Sequence, residues 1–187
     1  MTHSRKVVIS PIGEAATEII DALAEEITRV FGFETEIVPL LDAIHFAFDP
    51  VRCQYHSTPV LEKLSAAAPS HALKVLGIAQ EDLFIPILTH VYGEAELGGK
   101  SCLVSTYRLK EDLSIGFEGR VYQERIIKEA VHELGHTFDL RHCPEKSCIM
   151  HYCHCIADVD RKGRELCRYC SVLLKDELNR IRSEKGV

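Results

Sequence analysis

The stretch His132-Glu133-Leu134-Gly135-His136-Thr137-Phe138-Asp139-Leu140-Arg141-His142 decides how the rest of this chain is read. Side chains four apart on a helix share one face, one turn above the other. His132 and His136 therefore present their imidazoles to one ion. Glu133, about 100° round the helix, reaches a water on that ion rather than the ion itself. If the helix ends near Leu140 and the chain turns back, His142 supplies a third ligand. Three neutral ligands leave the full charge of a zinc ion at the site and a fourth position open, the pattern of a catalytic rather than a structural centre. The bland alternative is a chance group of surface residues. Average residue usage produces H-E-x-x-H in roughly one chain of this length in a hundred, and the third histidine makes coincidence rarer still.

The flanking residues supply the helix. Ile127, Val131, Leu134 and Phe138 fall at spacings of four, three and four, one apolar face of a helix expected over about Glu118 to Leu140. Beyond it the composition changes. Six of the eight cysteines lie between Cys143 and Cys170. A core thiol has no reason to cluster in this way, whereas metal binding does. Cys143 and Cys148, with the C-x-x-C pair Cys167 and Cys170, suit one closed, tetrahedral, all-thiolate zinc site that holds the fold and performs no chemistry. Cys153, His154 and Cys155 are rival ligands, disfavoured because they follow so closely on the histidine centre. Cys53 and Cys102 sit among apolar residues and are expected to be core thiols.

Upstream, Lys6 to Ser10 reads as a buried strand. Glu14 to Phe31 reads as an amphipathic helix with Ile19, Leu23, Ile27 and Val30 inward, stopped by Gly32. Phe33 to Val38 alternates like a strand, and Pro39 to Pro50 is irregular. Ser57 is the expected cap of a short helix running to about Ala67. Leu73 to Ile78, Thr89 to Leu97 and Cys102 to Leu109 are extended in character, with a turn at Gly98-Gly99. A last helix is expected over Val172 to Ser183. The class is α/β: a twisted sheet backed by helices. The composition break near Arg141 divides the chain into 1–141, carrying the sheet and the histidine helix, and 142–187, a cysteine-rich part.

Residues 148–152 read Cys-Ile-Met-His-Tyr. With this segment the chain resembles the metzincin metalloproteases, whose pattern is H-E-x-x-H-x-x-G-x-x-H followed by a turn bearing a methionine. The added cysteine after the third histidine, the C-x-M and the later C-x-x-C are similar to one branch, the archaemetzincins. Tyr92 to Gly99 and Ser105 to Leu109 also look like that family. The resemblance implies a metzincin-like α+β fold: a twisted mixed sheet with backing helices and an active-site helix, then a small zinc-stapled part. It implies that Met150 floors the histidine centre. It implies that Tyr152 touches the metal or stabilises an oxyanion, and that a peptide lies antiparallel to an edge strand near His90 to Leu97. Glu94 or Glu96 on that strand is a candidate anchor for a substrate's free amine, against the commoner role of a solvated edge charge. One position departs from the family: Asp139 stands where the motif has glycine. Asp tolerates the left-handed turn required there, and it is also a candidate partner for a ligand histidine.

Composition narrows the class. The 187 residues carry a formal charge of −6 and no basic run, which disfavours nucleic acid as a partner. No stretch is long and apolar enough to span a membrane. The first apolar run, Val7-Val8-Ile9, is too short for a signal-peptide core, so the expected compartment is the cytoplasm. The expected function is a zinc metallopeptidase acting on peptide or protein substrates. Two zinc ions are expected per chain, one catalytic and one structural, with Glu133 as general base and Tyr152 as oxyanion donor. The archaemetzincin resemblance favours aminopeptidase or short-peptide activity over broad endopeptidase activity. The alternatives are a zinc amidase or deacylase on the same scaffold and a non-catalytic zinc module for protein interaction; the latter has no need of Glu133. The sequence leaves the oligomeric state open.

Overall fold

The computed structural model describes residues 5–13, 17–113 and 118–183. Eight strands and five helices follow in the order β1 (Lys6–Pro11), α1 (Thr17–Phe31), β2 (Thr35–Ile37), β3 (Phe48–Asp49), β4 (Gln54–His56), α2 (Ser57–Ala67), β5 (Ala72–Ala79), β6 (Leu83–Phe84), β7 (Gly93–Ala95), β8 (Ser101–Ser105), α3 (Glu118–Thr137), α4 (Ile156–Arg161) and α5 (Arg168–Ser183). The main sheet runs β2-β1-β5-β8-β7. Its first four strands are parallel, and only β7 is antiparallel to its neighbour, so the sheet is mixed and β7 forms one edge. A small second sheet, β3-β4-β6, lies beside it.

Strand periodicity explains the layers. Val7, Ile9, Leu76, Ile78, Cys102 and Val104 point to one face and join a core with α1 and α3. Val8, Val75, Ala79 and Leu103 point to the other and pack with Val60, Leu61 and Leu64 of α2. Helices thus cover both faces of the parallel strands, as a sheet apolar on both sides requires. The residues of the histidine and cysteine centres close the α1/α3 side: Cys143, Cys148, Ile149, Met150 and Cys170 belong to the same core as α3. This is the mixed α/β architecture that the sequence pattern anticipates.

Several boundaries differ from expectation. Residues 14–16 of the first predicted helix lie outside the described residues. The stretch 39–50 is not wholly irregular; it holds a short 3-10 turn, His45–Ala47, and β3. Ser57 does not cap α2. His56 occupies that position, and the Ser57 hydroxyl lies 2.5 Å from the Glu94 carboxylate, to which it donates. Only Gly93–Ala95 of the extended run 89–97 pairs as strand, and the run from Cys102 bends into a 3-10 turn at Arg108–Lys110. α3 ends at Thr137, and α5 begins four residues earlier than expected, at Arg168. Cys53 is exposed at a left-handed turn with φ 53°, so it is no core thiol; Cys102 is buried.

Candidate metal centre and substrate cleft

α3 carries Glu129, His132, Glu133 and His136 along one face, and its C-terminus sets the next ligand. The Leu140 N–H donates to the Gly135 carbonyl at 3.1 Å, and the Asp139 N–H to the His136 carbonyl at 3.0 Å. This paired closure requires a left-handed residue, and Asp139 supplies it with φ 61°. The family's glycine is therefore replaced without loss of the turn. The Asp139 side chain is exposed and bonds no ligand histidine, so its alternative role does not arise. The reversal returns His142 to α3: its ring centroid lies 4.8 Å from that of His136 and 5.3 Å from that of His132. The ligand atoms of the three histidines all fall within 4.8 Å of one another.

Hydrogen bonding fixes the state of two of these rings. His132 Nδ1 lies 2.8 Å from the Ile149 carbonyl and His136 Nδ1 lies 2.7 Å from the Leu140 carbonyl. A carbonyl only accepts, so both Nδ1 atoms carry protons and both Nε2 atoms present lone pairs. Those two Nε2 atoms are 3.1 Å apart. Two facing lone pairs repel unless a cation lies between them, so the donor set fits a metal ion. Burial, then the Lys162 charge, pushes His132 well below the usual imidazole pKa, and burial, followed by the neighbouring His136, takes His142 down to about 4. Both effects keep the rings neutral, as ligation demands.

Glu133 is buried, and burial first, then the adjacent Glu129 carboxylate, raises its pKa well above the ordinary value. It lies against the sheet edge at Gly93. A Cβ on Gly93 would sit 2.5 Å from Glu133 Cγ and 2.6 Å from the Leu103 carbonyl oxygen. Only glycine permits this approach of strand to carboxylate. Beneath the histidines, a Cβ on Gly135 would come 2.6 Å from Met150 Sδ. Met150 is fully buried there, packed against Gly135 of the histidine helix. The Tyr152 ring lies tilted beside His142, centroids 4.9 Å apart, and meets His154 edge-on at 4.6 Å.

Behind His132 lies a group that sequence reasoning missed. Lys162, with its side chain wholly buried, places Nζ 2.7 Å from Glu129 Oε1 and 3.5 Å from His132 Nδ1. Burial is the largest influence and lowers the Lys162 pKa, but the Glu129 charge and hydrogen bond, with Cys153 and Glu133, together outweigh it and the net shift is upward. Nothing local in Arg161-Lys162-Gly163 signals a buried ammonium; its partner is on α3.

The second cluster gathers Cys143, Cys148, Cys167 and Cys170, again with ligand atoms within 4.8 Å. The Cys167 N–H donates to Cys148 Sγ at 3.3 Å and the Cys170 N–H to Cys167 Sγ at 3.5 Å. Hydrogen bonding from the Cys170 N–H brings the Cys167 thiol down to about 7. Amide donors aimed at sulfur favour thiolates, so this set also suits a metal. Cys153 and Cys155 do not join it: Cys153 lines the substrate cleft and Cys155 is exposed beside Asp158.

An open cleft of about 710 Å³ runs over the histidines, lined also by Ile85, by Leu88 to Ala95, and by Arg141, Tyr152 and Cys153. Glu94 and Glu96 are both engaged. Glu94 accepts from Ser57 and, at 2.9 Å, from Thr58; Glu96 accepts from the Lys100 and Ser101 N–H groups and closes the β7–β8 turn.

Comparison with known proteins gives a consistent result. The profile of peptidase family M54 matches residues 36–176. The archaemetzincin of Methanocaldococcus jannaschii is 36% identical over 177 residues, covering 94% of this chain and 96% of its own. The crystal structure of archaemetzincin from Methanopyrus kandleri superposes with a TM-score of 0.80 at 31% identity, covering 96% of this chain and 98% of its own. That from Archaeoglobus fulgidus, solved in complex with malonate, gives 0.77 at 31%, covering 90% and 99%.

Proposed function

We infer the chemistry of this cleft from one premise: the chain belongs to peptidase family M54, the archaemetzincins, and is a zinc metallopeptidase. His132 and His136, through the Nε2 lone pairs, and His142 would hold the catalytic zinc, and Cys143, Cys148, Cys167 and Cys170 would hold a second, structural zinc. Zinc at the histidines would supply Lewis acidity toward an attacking water and a substrate carbonyl.

Glu133 is the general base. Its carboxylate takes a proton from the attacking water and later delivers it to the amide nitrogen as the C–N bond breaks. The facing Nε2 atoms of His132 and His136, with both Nδ1 protons committed to backbone carbonyls, are the observation that carries this reading. Tyr152 donates its hydroxyl to the developing oxyanion from beside His142. The peptide pairs with the free edge of β7, so backbone hydrogen bonds supply much of its affinity.

We assign short peptides as substrates. The cleft holds a segment of a few residues. The hydrogen bonds that occupy Glu94 and Glu96 argue against either as an anchor for a free amine, so short-peptide hydrolysis is favoured over strict aminopeptidase activity. The segment 142–187 acts as a zinc-stapled subdomain carrying the floor and wall of the cleft. Cysteines that cluster as metal ligands suit a reducing compartment, and we place the protein in the cytoplasm on that ground. Among the described residues no helix is long and apolar enough to cross a membrane.

Digestion of a peptide library with mass-spectrometric readout tests the function. Zinc-loaded wild type should cleave, and Glu133→Ala should retain both metals and lose cleavage. Equal cleavage by the two proteins would remove Glu133 from the mechanism.

A further inference from the structure

The cleft carries one positive side chain that the peptidase reading leaves unused. Among the described residues lining it, Arg141 is the single lysine or arginine. It is exposed and makes no ion pair or hydrogen bond to a described residue. Its backbone is nonetheless fixed on both sides. The carbonyl of Leu140 accepts from His136, and the next residue is His142. Three carboxylates share the cleft and none of them bonds Arg141: Glu94 accepts from Ser57 and Thr58, Glu129 pairs with Lys162, and Glu133 is buried against Gly93. The guanidinium thus lines the cleft beside the histidine centre with its donors unused by any described residue.

An unpaired guanidinium with five donors in a planar fork is suited to a carboxylate, which it binds through two parallel hydrogen bonds. We propose that Arg141 is a specificity-determining residue that selects peptides carrying a carboxylate at the end of the cleft beyond His142. The proposal rests on the peptidase reading of the cleft. Its place along the substrate follows from β7. The chain runs from Gly93, against Glu133, toward Leu97, and Gly98 bonds the His136 carbonyl at 2.9 Å beside the turn that leads to Arg141. A peptide antiparallel to β7 puts its N-terminal side at that end. The carboxylate is then an Asp or Glu side chain N-terminal to the scissile bond, not the free C-terminus. Arg141 touches no reacting atom and acts on substrate choice alone.

Matched peptides test this: Asp against Asn at each position N-terminal to the cleaved bond, and free acid against amide at the C-terminus, with zinc-loaded wild type, Arg141→Met and Arg141→Lys. In wild type the Asp peptide should be favoured over Asn by about tenfold in kcat/KM, chiefly through KM, as expected for a charged hydrogen bond at a partly screened site. The ratio should fall to near one in Arg141→Met and be partly kept in Arg141→Lys. Wild-type cleavage with no Asp preference, the same preference in Arg141→Met, or a preference only for the free C-terminal acid would overturn the proposal and leave the peptidase reading standing. If no peptide is cleaved, the peptidase reading fails instead. Calorimetric binding of the Asp and Asn peptides to zinc-loaded Glu133→Ala, with and without Arg141→Met, then decides the role of Arg141 separately.

Discussion

The imidazole of His132 donates its Nδ1 proton to the carbonyl of Ile149 at 2.8 Å, and Ile149 follows directly on Cys148 of the thiolate cluster. The next residue, Met150, lies under Gly135 and accepts the Cys143 N–H at 2.9 Å; Cys143 in turn follows His142. The two clusters thus share a short backbone connection. Partners that orient a ligand histidine typically contribute 10–100-fold to metal affinity. Cys148→Ser should therefore weaken zinc at the histidines by about tenfold as well as disturbing the thiolate cluster. Chelator competition on the cobalt-substituted protein, where thiolate and imidazole sites absorb differently, measures both. Unchanged affinity at the histidines would show the clusters to be independent.

Gly93→Ala should disable chemistry while leaving the fold intact. The new Cβ meets Glu133 Cγ at 2.5 Å and a backbone carbonyl at 2.6 Å, so the carboxylate or the edge strand must move. Misplacement of a reacting group by about 1 Å costs about 100-fold. The expected result is a loss of that order in kcat at unchanged zinc content, measured on the best peptide from the library.

Asp139→Gly should stabilise the protein without altering turnover. Asp139 holds φ 61°, a region that costs an L residue roughly 1 kcal/mol relative to glycine. For a chain of this size that gain raises the melting midpoint by about 2–4 °C. A calorimetric scan checks it, and a lowered midpoint would mean that the exposed Asp139 side chain contributes something its contacts do not reveal.

Lys162→Met should be strongly destabilising, because it leaves the Glu129 carboxylate buried and alone. Breaking one side of a buried pair costs about 3–5 kcal/mol, whereas replacing both sides is often near neutral. Adding Glu129→Met should therefore recover most of the loss in urea unfolding. Additive losses would argue that the two side chains act separately.

Acid should weaken the fold partly through Asp160. The Arg125 guanidinium, bonding both its carboxylate oxygens at 2.7 and 2.8 Å, holds the Asp160 pKa below the ordinary value. A depressed folded pKa contributes stability that is fully present above the unfolded pKa and is lost as pH falls through the folded one. Between pH 6 and 3, Asp160→Asn should lose less stability than wild type. Parallel curves would exclude the pair as a source of acid sensitivity.

The elements legible in the sequence were those set by local periodicity. α1, α2 and α3 and the strands β1, β5 and β8 bury continuous or regularly spaced apolar side chains, so each announces itself within its own span. The two-residue strands β3 and β6 do not, because they are stabilised by pairing with distant partners rather than by a pattern of their own. Cys53 misled for a similar reason: apolar neighbours in sequence say little about a turn whose φ is 53°.

For the site, the sequence by itself determined which residue types could meet a metal. The His132–His136 spacing is a helical repeat, and the C-x-x-C pair is a local chelate. It also gave the expectation that Asp139 tolerates the left-handed turn, which the φ of 61° bears out. Only the tertiary structure decided what surrounds them. Gly93 beside Glu133, the Ile149 carbonyl on His132, Lys162 against Glu129 and the unpaired Arg141 all join residues far apart in the chain or depend on which neighbours are absent. No spacing encodes such relations; they exist once the sheet edge, α3 and the cysteine-rich segment are packed together.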